Sequence, residues 1–206
     1  MSFKTEQETF WAGHFGDQYS DRNVGADAIA ANVALFSKIL SATRQVNSVF
    51  ELGCNIGLNL QALRSVLPAA EIEAVEINAK AVGTALESGA ANRVLQGSLL
   101  DVQPEKTYDL VFTKGVLIHI SPDMLDVAYQ QLYSLSNRYV MVCEYYNPSP
   151  VEIEYRGHQG KLFKRDFASD LLDRYPDLAL VDYGFVWRRD PNFPQDDATW
   201  FLLEKK

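Results

Sequence analysis

The chain contains only two cysteines, Cys54 and Cys143. Far apart in sequence, they form neither a metal-ligand spacing nor a disulfide framework, which favours a reducing, cytoplasmic setting. No run of about 18 apolar residues is available to cross a bilayer, and the first residues lack the basic-then-apolar pattern of an export signal. The expectation is therefore a chain with no membrane partner. Positive charge is also scarce: 19 Lys and Arg face 27 Asp and Glu, for a net charge of −8. A surface so acidic argues against a nucleic-acid partner, which needs a basic face, although it leaves room for a local basic pocket. Internal repeats and low-complexity tracts are absent. What remains is 206 residues, 47% hydrophobic, enough to close one sizeable core.

Hydrophobic periodicity organises that core. Residues 1–23 are polar but carry Phe10, Trp11, Phe15 and Tyr19; the first three are spaced for one helical face, which reads as a cap or as a lid. Residues 25–43 form an amphipathic helix through Ile29, Val33, Phe36, Ile39 and Leu40. Strands at 48–52, 72–77, 94–97, 108–112 and 139–143 then alternate with helices at 58–66, 79–88 and 122–135. These strands are almost continuously apolar, as a parallel sheet covered on both faces requires. The alternation predicts a doubly wound, mostly parallel, Rossmann-like α/β sheet. Residues 144–164 form a long connection, 166–175 a helix, and 178–186 with 199–204 an antiparallel hairpin at the sheet edge. The whole reads as a single domain: a helical cap over 1–44, a ligand-binding core over 45–145, and an insertion with the last strands over 146–206.

The run Glu51-Leu52-Gly53-Cys54-Asn55-Ile56-Gly57 closes the first strand. Glycines there allow a sharp turn and the close approach of a ligand. Glu76, at the tip of the second strand, is either a ribose ligand or a partner of a helix N-terminus. A dinucleotide site wants G-x-G-x-x-G, and the third glycine of that fingerprint is missing, which disfavours a pyrophosphate. No Tyr-x-x-x-Lys pair stands where an NAD-dependent sugar oxidoreductase would place one. That rival, and a non-catalytic nucleoside-binding domain, remain the alternatives.

The run from Glu51 to Gly57 resembles the first motif of class I S-adenosylmethionine-dependent methyltransferases, E/D-x-G-x-G-x-G, with Asn55 at the central glycine. Asn tolerates positive φ better than most residues. Glu76, Gly97-Ser98-Leu99, and the strand at 108–112 followed by Val116-Leu117-Ile118-His119 match later motifs of that family in the expected order. A narrower resemblance rests on Phe10-Trp11-Ala12-Gly13, Phe15-Gly16-Asp17, Tyr19, Arg22-Asn23, Glu144-Tyr145-Tyr146-Asn147-Pro148, Tyr155-Arg156-Gly157-His158 and the run from Leu162 to Phe167. Together these are similar to the pseudaminic acid biosynthesis-associated methylases.

The resemblance implies S-adenosylmethionine as cofactor, S-adenosylhomocysteine as product, and a sugar or sugar-nucleotide acceptor. It places Glu76 and Ile77 at the ribose, Ser98 and Leu99 beside the adenine, and Glu51, Gly53, Cys54, Asn55, Gly57, Lys114 and Gly115 around the methionine portion. Tyr19 and Arg22 close over the cofactor, Arg22 as a carboxylate fork, or else they form a surface pair on a terminal arm. His119 is a general base or a satisfied core histidine, and His158 is a second candidate base. Arg156, His158, Lys161, Lys164 and Arg165 gather cations in an acidic chain. They select a small anionic substrate, or merely offset Glu152 and Glu154. Tyr145, Tyr146, Asn147 and Tyr155 would wall the acceptor pocket, because open α/β sheets bind ligands beyond the strands' carboxyl ends; alternatively, the tyrosines pack the long loop. No metal-ligand cluster is expected.

Overall fold

A computed structural model describes residues 3–22, 25–103 and 105–206; Asn23, part of the terminal-arm motif, lies outside them. The strands are β1 (Ser48–Leu52), β2 (Glu71–Glu76), β3 (Arg93–Gln96), β4 (Tyr108–Lys114), β5 (Ser136–Glu144), β6 (Val151–Glu152), β7 (Phe163–Lys164), β8 (Leu178–Val186) and β9 (Ala198–Lys205). Seven of them form one sheet in the order β3-β2-β1-β4-β5-β9-β8. The first five are parallel, and β9 runs antiparallel between β5 and the edge strand β8. This is the class I methyltransferase fold, with the C-terminal antiparallel pair at the expected edge.

Two apolar layers cover the sheet. On one face, α3 (Ala26–Leu40), α4 (Leu58–Val66) and α5 (Ala79–Glu87) bury Phe36, Ile39, Leu60, Leu63 and Ala85. On the other, α6 (Leu125–Leu135) and α7 (Phe167–Arg174) bury Tyr129, Leu132 and Leu171 against Phe50, Val111 and Val142. Both faces of the central strands are therefore dry, which is why their sequences do not alternate. The bounds of β1, α4 and β8 coincide with those expected. The helix expected over 122–135 begins instead with a 3-10 turn at Pro122–Met124.

Two segments differ from the expectation. The terminal arm is two helices, α1 (Glu6–Ala12) and α2 (His14–Arg22), broken at Gly13. A full capping box explains the start of α1: the Glu8 N–H donates to Thr5 Oγ1, and the Thr5 N–H donates to Glu8 Oε2. The long connection contains a two-residue hairpin, β6 with β7, that ends in a tight turn joining Tyr155 to His158. Arg156 and Gly157 both carry positive φ in that turn.

In the sheet order, the topology reverses between β1 and β4. Crevices open at such switch points, beyond the strands' carboxyl ends. The candidate site lies there.

Candidate active site

A cavity of about 580 Å³ is lined by the residues that follow each of the five parallel strands: Gly53 to Asn55, Glu76 and Ile77, Gly97 to Leu99, Lys114 and Gly115, and Tyr145. Its floor is the turn after β1. Gly53, Asn55 and Gly57 all carry positive φ, at 83°, 47° and 82°. Asn55 thus occupies the left-handed region that a glycine would take, which accounts for its place in the motif. A Cβ on Gly53 would stand 2.8 Å from the Val116 side chain, so the loop after β4 closes tightly on the turn.

Glu76 is 9% exposed, and both of its oxygens accept from backbone amides. The Asn55 N–H donates to Oε2 at 2.7 Å, and the Asn78 N–H donates to Oε1 at 2.8 Å. Burial raises its pKa, while these amide bonds counter the rise. A carboxylate offers about four acceptor positions, so both oxygens keep capacity for further donors from the cavity. Asn78 is the N-cap of α5, its Oδ1 accepting from the Ala81 N–H. The two alternatives for Glu76 are compatible: it orders the start of α5 and also lines the cavity. Ser98 is likewise double-ended, accepting from the Leu100 N–H while it and the buried Leu99 line the wall.

Glu51 lies beneath the turn, fully buried. The Asn59 amide donates to its Oε1 at 2.6 Å, and Oε2 has no partner among the described residues. Desolvation pushes its pKa up to about 8, so the carboxyl is largely protonated at neutral pH. Glu51 and Gly57 support the turn from outside the cavity, whereas Cys54, buried, lines it.

His119 stands on a 3-10 turn, Leu117–His119, whose start is fixed by Glu144 at the end of β5. Glu144 accepts from Thr113 Oγ1 and from the N–H groups of Val116 and Leu117 on Oε1, and from the Ile118 N–H on Oε2. Burial outweighs these donors and raises its pKa to about 7. The His119 Nδ1 lies 2.6 Å from the Lys161 carbonyl. A carbonyl only accepts, so Nδ1 carries the hydrogen and Nε2 keeps the lone pair. Burial lowers the pKa to about 4, leaving a neutral imidazole on the cavity wall. The rings of Trp11 and Tyr155 pack on it with centroids at 4.5 and 4.9 Å.

The N-terminal helices form the roof. Trp11, Gly16, Tyr19 and Ser20 line the cavity. Asn78 Nδ2 donates to Asp17 Oδ1 at 2.8 Å, and Ser20 Oγ donates to Asn55 Oδ1 at 2.9 Å. Arg22, the expected carboxylate fork, lies at the end of α2, exposed, with its guanidinium 5.7 Å from the Phe15 ring and off the cavity wall.

The five cations near the long connection do not converge. Arg156 lines the cavity beside Tyr155. Lys161 reaches Glu6 and covers Phe10, Arg165 pairs with Asp170, and Lys164 lies over the Tyr145 ring. His158 is exposed and packs against Phe10 and Phe15, outside the lining. Tyr145 lines the cavity and donates its hydroxyl to Asp196 at 2.8 Å, whereas Tyr146 and Asn147 lie outside it. Trp11, one of the aromatics read as a cap or a lid, lines the site; Ser20, Asn32, Asn78 and Gln195 line it too, and sequence reasoning gave those four no role there. For Asn78 a signal existed, an Asn directly before a helix; for the others, contact depends on tertiary placement. Among the described residues no helix is long and apolar enough to cross a membrane.

Residues 49–138 match the family model of a methyltransferase domain. No curated protein matches the sequence. Among solved structures, the chain is similar to magnesium protoporphyrin IX methyltransferase from Synechocystis with bound SAH (15% identity, 99% of this chain and 100% of that one, TM-score 0.69). It is also similar to 1,6-didemethyltoxoflavin-N1-methyltransferase from Burkholderia thailandensis (16% identity, 100% and 92%, TM-score 0.72). A third is a SAM-dependent methyltransferase from Leishmania major (12% identity, 96% and 81%, TM-score 0.73). At such identities the likeness concerns the fold. Fold and sequence match agree: residues 49–138 resemble a methyltransferase domain, and the chain has the class I methyltransferase fold.

Proposed function

We propose that this chain is an S-adenosylmethionine-dependent methyltransferase acting on a small anionic acceptor, a sugar or sugar nucleotide of nonulosonic (pseudaminic) acid metabolism, in the cytoplasm. The observation that carries the cofactor half is Glu76: a buried carboxylate with spare acceptor positions, fastened to a turn of positive-φ residues at the rim of the cavity. Such a group suits the two hydroxyls of a ribose. The residues also fit the rest of the cofactor, with Ser98 and Leu99 beside the base and Gly53 to Asn55, Lys114 and Gly115 at the amino-acid end. Residues 45–145 would hold the cofactor, 1–44 cover it, and 146–206 receive the acceptor. The missing third glycine of the dinucleotide fingerprint disfavours the NAD reading.

When bound, the cofactor supplies a methyl group already activated on a sulfonium. The chain contributes position and dryness, and positioning of this kind is worth about 7–11 kcal/mol. Trp11, Tyr19 and Tyr155 exclude water from above. For a hydroxyl acceptor, His119 Nε2 takes the proton as the oxygen attacks, and the Lys161 carbonyl holds the ring in the required tautomer. For an amine or carboxylate acceptor, His119 only shapes the wall. The anionic preference rests on Arg156 and Lys114, the cations on the lining.

Calorimetry with S-adenosylmethionine, S-adenosylhomocysteine and NAD on the wild type and Glu76→Ala tests the cofactor half. Homocysteine-product binding that falls at least tenfold in Glu76→Ala is expected; a preference for NAD overturns it. For the acceptor, sugar nucleotides and free acidic sugars are screened with wild type and Arg156→Ala. Equal turnover by both removes Arg156 as an anion ligand.

A further inference from the structure

The far end of the cavity from Ser98 and Leu99 has a polar wall that none of the roles above uses. Asn32 on α3 is 4% exposed and lines the cavity, and its side chain makes no hydrogen bond with any described residue. Gln195, in the loop between β8 and β9, donates from Nε2 to the Ala31 carbonyl at 2.9 Å. That bond fixes the orientation of the amide, because a carbonyl accepts only from the nitrogen end. Gln195 Oε1 is left buried, without a donor among the described residues. A buried acceptor is costly to leave unpaired, so something must supply a hydrogen. Two side-chain amides, one step apart through Ala31, therefore face one corner of the cavity with unused hydrogen-bonding capacity.

The rest of that corner restricts what can fill it. Ala28, one turn before Asn32, lines it together with Val186 and Ala198, which pair across β8 and β9. The acidic neighbour Asp196 already accepts the Tyr145 hydroxyl. The unpaired oxygen of Gln195 disfavours an anion beside it.

We infer that Asn32 and Gln195 form an acceptor subsite for an uncharged group that both donates and accepts hydrogen bonds, a secondary amide or a hydroxyl, at the opposite end of the acceptor from the anion that Arg156 receives. Gln195 Oε1 takes the ligand's hydrogen, Asn32 Nδ2 donates to its oxygen, and Ala28, Val186 and Ala198 accommodate a small apolar substituent. The inference rests on the proposed acceptor reading and adds an orientation to it: anion towards Arg156, neutral polar group towards α3. It also makes discrimination sharp, because a ligand lacking the group would bury both amides unpaired.

The test uses ¹⁵N-labelled full-length chain with S-adenosylhomocysteine and three probes: N-acetylglucosamine 1-phosphate, glucose 1-phosphate and inorganic phosphate. Saturable shifts of the Asn32 and Gln195 side-chain amide signals are expected with the amide-bearing probe, the hydroxyl-bearing probe or both, and none with phosphate alone. Gln195→Leu should weaken the sugar phosphate at least tenfold and leave affinity for S-adenosylhomocysteine unchanged. Equal shifts with inorganic phosphate overturn the inference. So do sugar phosphates that leave both amides at rest, whether or not Arg156 Nε responds. Failure of the Gly53 amide to move with S-adenosylhomocysteine overturns the cofactor reading instead, and the three probes are then read on the chain alone.

Discussion

The hydroxyl of Ser20 donates to Oδ1 of Asn55 across 2.9 Å, joining the second helix of the roof to the turn beneath it. Asn55 therefore does two things: its backbone takes the left-handed conformation, and its side chain latches the cover. Ser20→Ala and Asn55→Gly both remove this bond, Asn55→Gly keeps the turn, and Ser20→Ala also gives up the approach of the hydroxyl to the Gly16 carbonyl at 3.0 Å. Each should weaken S-adenosylhomocysteine about fivefold, the loss of one hydrogen bond of roughly 1 kcal/mol. The double variant should be no worse than Ser20→Ala alone. Calorimetry on the full cycle checks this; additive losses would refute the latch.

Gly16 is the point where the two roof helices and α5 meet. A Cβ there would lie 1.9 Å from the Trp11 carbonyl oxygen and 2.8 Å from Asn78 Nδ2. Gly16→Ala should lift the roof while leaving the sheet intact. Amide exchange should rise across residues 6–22 and stay unchanged in β1 and β4. Affinity for the homocysteine product should fall more than tenfold. Unchanged exchange in the roof would count against the reading.

His119 gives stability a pH dependence of known sign. Its folded pKa is lowered from 6.5 to about 4 by burial, so the unfolded chain binds the extra proton first. Its contribution is intact above pH 6.5 and is lost as pH falls towards 4. Between pH 7 and 5 the wild type should lose about 2 kcal/mol relative to His119→Phe in urea unfolding. A difference that does not change with pH would mean that the ring titrates normally.

Glu51 acts in the opposite sense. Its pKa is raised from 4.5 to about 8, so the folded chain keeps a proton that the unfolded chain has lost. Stability from this group is full below pH 4.5 and declines as pH rises to 8, at about 1.4 kcal/mol per unit. Glu51→Gln mimics the protonated form and preserves the acceptor for Asn59. It should flatten the wild-type decline between pH 6 and 8. An unchanged slope would show that Glu51 ionises freely.

Local signals in the chain were enough for most of the fold. The apolar run 48–52, the helix that begins after Gly57 and the strand 178–186 lie where their periodicity put them, because each is decided by neighbours in sequence. Gly53, Asn55 and Glu76 were legible for the same reason. The cations were not: charge spacing cannot say that Lys161 turns towards Glu6 or that Arg165 turns towards Asp170. Arg22 likewise ends on Phe15 because α2 points its tip away from the crevice. Glu144 escaped notice as a clamp since its four donors lie 26 to 31 residues upstream and meet it only when β4 and β5 pair. Gln195 and Asn32 are brought together only by closure of the last hairpin over α3.

The roof joins the first helices to the turn at 155–161. Gln7 donates to the Gly160 carbonyl, Lys161 reaches Glu6, and Phe10 packs on His158, while Lys4 pairs with Asp101 below. A molecule leaving the crevice upward must part the terminal arm from the 155–161 turn, and the Lys161 carbonyl that steadies His119 belongs to that same turn. Egress and the alignment of the imidazole are thereby mechanically linked: whatever loosens the exit also frees the ring.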